Sequence, residues 1–92
     1  MYVKSVKLIF HIPHAGSLKD KRRVKRSIID KVRNKFNVSA AEVDTQDVHR
    51  ILTIGAAVVS GDAAHAVESL DEVIRFMEEN ADAELMEVED GL

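Results

Sequence analysis

Cysteine is absent from this 92-residue chain. That removes disulfides, a thiolate nucleophile and every zinc or iron–sulfur site built on cysteine, and it suits a reducing compartment. Proline occurs once and glycine four times, with no linker, internal repeat or low-complexity tract and no glycine-rich phosphate loop. The aromatics are Tyr2, Phe10, Phe36 and Phe76, too few and too scattered for a sheet surface that stacks nucleobases. The longest apolar runs, such as Leu8-Ile9-Phe10 and Gly55 to Val59, fall far short of the roughly 20 residues a membrane helix needs. Lys4 and Lys7 break the first segment, so it does not read as a secretory signal. A cytoplasmic location and no membrane contact are expected.

What remains is 46% hydrophobic and 32% charged, the composition of one ordered domain, residues 1–92, with a single core. The net charge of −3 conceals a strong polarity. Residues 1–35 hold eleven of the thirteen lysines and arginines against Asp20 and Asp30 alone, a balance of +9. Residues 36–92 hold Arg50 and Arg75 against fourteen acids, a balance of −12. Such polarity shapes surface fields and partners rather than fold.

Val6, Leu8, Phe10 and Ile12 alternate with Lys7, Ile9 and His11, the period of a strand with one buried face. Pro13 ends it. Ser17 then fits a helix cap with Asp20 three residues on. Val24, Ile28, Ile29, Val32 and Phe36 recur at helical spacing and predict a helix from Leu18 to about Lys35, stopped near Asn37. Val38 to Thr45 reads as an edge strand and Ile51 to Ser60 as a central one. Asp62 caps a second helix whose apolar arc holds Ala63, Ala66, Val67, Leu70, Val73, Ile74 and Met77 and which ends at Asn80. Ala83 to Glu89 is a last, acidic strand. The order β-α-β-β-α-β predicts an α+β, ferredoxin-like fold, a four-stranded antiparallel sheet with two helices on one face and the first and third strands central.

Three segments resemble the YlxP-like family of small bacterial proteins. They are His11-Ile12-Pro13 with Ser17 to Arg23; Phe36 to Asp44 with Gln46-Asp47; and Gly55 to Ser60 with Asp62 and His65. The resemblance implies a ferredoxin-like domain from a bacterial cytoplasm with no established enzymatic activity. It also implies a genetic setting near translation and ribosome maturation, hence RNA or the ribosome as a partner. The family pattern has an aromatic shortly after Gln-Asp, where this chain carries Val48-His49.

The residues themselves single out the first helix. Lys19, Arg22, Arg23, Arg26 and Arg33 fall on its outward side, while Lys21 and Lys25 lie nearer the buried stripe: either their stems snorkel along it or this end of the helix overhangs the sheet. Lys19, Lys21, Arg22 and Arg23 crowd the positive end of the helix dipole, each at a cost of about 0.3–1 kcal/mol. An anion there would relieve the conflict, using free N–H groups from Gly16 to Lys19. Two outcomes compete: the cations pair with Glu68, Glu72 or Glu79 of the acidic second helix, or they are left for a phosphate backbone.

The outward sheet face, with Ser5, Ile9, His11, Ile51, Thr53, Gly55, Ala57 and Val59, reads as apolar and flat. A second copy, seated on that face or on an edge strand, is expected to cover it. His11, His14, Asp44, Asp47 and His49 can be drawn as a metal or acid–base cluster, but their spacing does not force them together, and His65 reads as partly solvated. No cofactor is implied.

The expectation is a non-catalytic RNA-binding module, dimeric and translation-associated. Lys19, Lys21, Arg22, Arg23, Lys25 and Arg26 would contact phosphates, with His14 and Ser17 at the mouth of the site. The alternative is a dimeric small-ligand or regulatory module with an anion site at the N-terminus of the first helix.

Overall fold

Strand β1 (Tyr2–His11), helix α1 (Leu18–Lys35), strands β2 (Ser39–Asp44) and β3 (Ile51–Ser60), helix α2 (Ala63–Asn80) and strand β4 (Glu84–Asp90) succeed one another in a computed structural model that describes residues 1–91. The strands pair antiparallel in the order β2-β3-β1-β4. Two interlocked β-α-β units therefore share one sheet, and the fold is ferredoxin-like. As the apolar runs require, β1 and β3 are central.

Strand β1 starts four residues before its apolar alternation does. Tyr2 to Ser5 pair with Ser60 to Ala57 although this end is largely exposed, because backbone hydrogen bonding to the full length of β3 carries the pairing past the core. Ile12 lies just beyond β1 yet is fully buried, and its N–H donates to Arg50 O at 2.8 Å.

Alternate residues of the two central strands, Val6, Leu8 and Phe10 with Leu52, Ile54 and Val58, meet Val24, Ile28 and Val32 of α1 and Leu70, Val73 and Met77 of α2 in one core. Fully burying each large apolar side chain contributes about 1.5–3 kcal/mol. Helix α2 lies over β1 and β3, whereas α1 lies beside α2 and over β2, which puts the outer side of α1 at a margin of the molecule.

Both helix starts follow from their capping residues. Ser17 has an extended backbone (φ −160°, ψ 167°), and its Oγ accepts the N–H of Asp20 at 3.2 Å. Asp20 reaches back, its carboxylate accepting the N–H of Gly16 at 2.9 Å, a reciprocal box at the pole of α1. Asp62 caps α2 by accepting the N–H groups of Ala64 and His65.

The outward sheet face differs from the apolar plane expected of it. Lys7 crosses β3 to Asp44 at 2.9 Å, Glu87 and Glu89 stand opposite Ile9 and Lys7, and Thr53 is buried. Thr53 is covered because Thr45, in a left-handed conformation at φ 59°, places its hydroxyl 3.1 Å away. A small-residue strip remains, formed by Ala41, Gly55 and Ala57 with Val43 and Val59 exposed at its margins. At Gly55 a Cβ would lie 2.7 Å from Val43 Cγ1, so only glycine lets the Val43 side chain lie there. Among the described residues no helix is long and apolar enough to cross a membrane.

Candidate nucleic-acid interface

Helix α1 divides its cations into two sets. Lys19, Arg22, Arg23 and Arg26 are exposed, and among the described residues none comes within ion-pair distance of a carboxylate. With Ser27 and Asp30 they line a surface groove of about 450 Å³. Their spacings of three and four residues make four like-charged neighbours along the helix, each unfavourable by roughly 0.2–0.5 kcal/mol. The face therefore carries about 1–2 kcal/mol of self-repulsion, which Asp20 and Asp30 at helical spacing offset only in part and which no ion pair among the described residues relieves.

Lys21 belongs to the other set, and it corrects the expectation that this residue contacts phosphate. Its side chain is 2% exposed. The ammonium donates to the carbonyls of Thr45 and of Val48, the latter at 2.8 Å, and lies 2.7 Å from Glu42 Oε2. That last contact is off the line of a hydrogen bond, and Oε2 makes none elsewhere; it is an ion pair. Two hydrogen bonds and an ion pair commit Lys21 inward, clamping the strained Thr45 turn to α1.

Lys25 is also drawn inward, 3.4 Å from Glu42 Oε1 with its side chain 32% exposed. Arg33, further along, donates to Ala40 O at 2.6 Å. Lys35 sits over the rings of Phe36 and Phe76, 5.8 and 5.0 Å from their centroids.

The expected pairing between helices is not what neutralises these charges. Among the described residues no cation of α1 forms an ion pair with Glu68, Glu72 or Glu79. The one acid that does engage α1 is Glu42, on the core-facing side of β2. Its signal was present in the sequence: Glu42 follows Ala40 at strand parity, so it faces the same way, and Lys21 lies on the helix stripe facing it.

At the pole of α1, two N–H groups are already used within the cap. Gly16 N–H is occupied by the Asp20 carboxylate and Asp20 N–H by Ser17 Oγ. Ser17 is a cap rather than the mouth of a site. His14 Nε2 lies 3.2 Å from Asp82 Oδ2, which ties the loop before α1 to the segment after α2. The remaining titratable residues diverge: His11 Nδ1 lies 3.8 Å from Glu84, Asp44 binds Lys7, and His65 Nδ1 is 3.1 Å from Ser60 Oγ. Among the described residues no three His, Asp or Glu side chains gather at one point.

A ferredoxin-like domain with one uncompensated basic helix face is thus the class that fold and site define. Within it, the chain belongs to the family described as "Protein of unknown function (DUF503)", which it matches over residues 3–90. It is 41% identical over 64 residues, 70% of each chain, to the "Uncharacterized protein YlxP" of Bacillus subtilis (strain 168). Its fold is similar to that of a de novo designed ferredoxin-fold protein solved by NMR in solution. The TM-score is 0.65 at 14% identity, covering 100% of this chain and 87% of that one; at that identity the likeness concerns the fold alone.

Proposed function

We propose that this protein binds RNA without catalysing a reaction, through phosphate contacts from Lys19, Arg22, Arg23 and Arg26, in a cytoplasmic and translation-related setting. One observation carries the reading: these four exposed cations have no counter-ion within the described chain, although their neighbours Lys21 and Lys25 share Glu42. A polyanion supplies what the chain withholds, and fixed phosphates relieve the repulsion that the helix bears alone. Contacts of this kind position a protein on RNA and carry little sequence information. The cap uses the N–H groups of Gly16 and Asp20 internally, which favours this lateral site over a small anion at the helix end. Self-association through the Gly55 and Ala57 strip is part of the same proposal, and Ala57→Glu is expected to make the chain monomeric in size-exclusion chromatography.

The test is binding of ribosomal RNA fragments by the full chain at low salt. Replacing Arg22 and Arg23 with Glu is expected to weaken binding by well over tenfold, since two phosphate contacts become repulsive. Lys31→Glu with Arg75→Glu makes the same change in net charge elsewhere and is expected to alter affinity by less than about threefold. Equal losses from both double variants, or no loss from the first, contradict the proposal.

A further inference from the structure

We infer that the RNA recognised by the outward face of α1 is a duplex, whose phosphate rows cross the helix, rather than a single strand lying along it. The inference rests on the reading of that face as an RNA site and specifies the form of RNA. Single-strand binders combine a basic groove with aromatic platforms on which bases stack. No aromatic lines the basic groove. Phe10 is buried, Tyr2 lies at the start of β1, and Phe36 and Phe76 pack on each other at 5.5 Å beyond the other end of α1.

The site is also a shallow groove along one helix rather than a channel between elements. Lys19 to Arg26 spans seven residues, about 10.5 Å of helix rise, and Asp30 lies one turn further along the same groove. A strand following the helix axis would run onto that carboxylate, whereas a backbone crossing the axis between Lys19 and Arg26 stays a turn away from it. Past Asp30, the next cation in line with Arg26 is Arg33, which donates to Ala40 O.

The surroundings favour phosphate rims over groove insertion. Beside α1, the exposed side of α2 carries Glu68, Asp71, Glu72, Glu78 and Glu79. Driving α1 into the wide major groove of B-form DNA would bring these acids toward the phosphates. A-form RNA presents a major groove too narrow and deep for side chains to read, and is bound through phosphates and shape. A short cationic face that touches the rim and stops suits the second geometry.

The experiment measures fluorescence anisotropy of the full chain with a mixed-sequence RNA duplex of about 20 base pairs, with each of its separated strands, and with the DNA duplex of the same sequence. The RNA duplex is expected to bind at least about tenfold tighter than either strand or the DNA. Asp30→Asn is expected to narrow the gap by strengthening single-strand binding, because the obstruction along the axis is removed. Single strands binding as tightly as the duplex would overturn the inference while leaving RNA binding intact, and a DNA duplex binding as well would do the same. Failure of every nucleic acid to bind at low salt overturns the RNA reading itself.

Discussion

Lys21 and Arg22 are neighbours of the same charge on the same helix, and they meet opposite environments. Lys21 is buried with three oxygens around its ammonium; Arg22 is exposed, in a groove it shares with other cations and, two turns along, Asp30. The 100° turn between successive helical residues makes the difference. One residue is aimed at β2 and the Thr45 turn, the other at solvent. The first stabilises this fold, and the second is available to a partner.

Removing Lys21 should give the largest effect. Lys21→Ala leaves a buried carboxylate without its nearest cation and two carbonyls without a donor, so about 3–5 kcal/mol of stability should be lost in urea denaturation. Combining Lys21→Met with Glu42→Leu should recover most of it, since both charges leave together. Arg22→Ala should shift stability by no more than about 0.5 kcal/mol. Equal costs at the two positions would abolish the contrast.

The cap comes next. Ser17→Ala should cost about 1 kcal/mol by freeing the N–H of Asp20, measurable as a lower melting temperature without loss of RNA affinity. A loss of affinity with unchanged stability would return Ser17 to the binding site.

In the opposite direction, the Arg22→Glu, Arg23→Glu pair should raise stability by about 0.5–1 kcal/mol, because it removes like-charged neighbours near the positive pole of the dipole. A drop would mean that these arginines make structural contacts after all.

The smallest effect belongs to the exposed pair Lys7 and Asp44. The hydrogen bond to Asp44, and then its charge, hold the Lys7 ammonium above its ordinary 10.5. The folded chain therefore keeps that proton longer than the unfolded one. The pair's contribution is complete below 10.5 and is lost as pH rises through the raised value. Asp44→Asn should flatten this alkaline limb slightly and leave stability at neutral pH nearly unchanged.

Much of the architecture could be read from the chain because it follows from periodicity. The bounds of α1 and β3 coincide with their expected ones, and Ser17 and Asp62 cap as their residue types suggest. What depended on distant partners was harder to see. The helical wheel put Lys21 near the buried stripe, yet its acceptors lie 21 to 27 residues further along the chain. Thr53 has outward parity and is buried only because Thr45 folds over it. The outward sheet face looked apolar while Lys7 and the acids of β4 were left out of it. For the candidate site, the outward arc of Lys19, Arg22, Arg23 and Arg26 was legible. Which cations the fold itself consumes was signalled only by the parity of Glu42 with Ala40, which does not by itself say how near β2 comes to α1.

The salt dependence of RNA affinity reads the uncommitted charge most directly. Four cations neutralising four phosphates of a duplex predict that log affinity falls with log salt at a slope of about −3.6. The Arg22→Glu, Arg23→Glu variant should lose most of that slope together with its affinity. Tight RNA binding that is indifferent to salt, or that keeps its slope in the variant, would contradict the claim that this helix face recruits a polyanion.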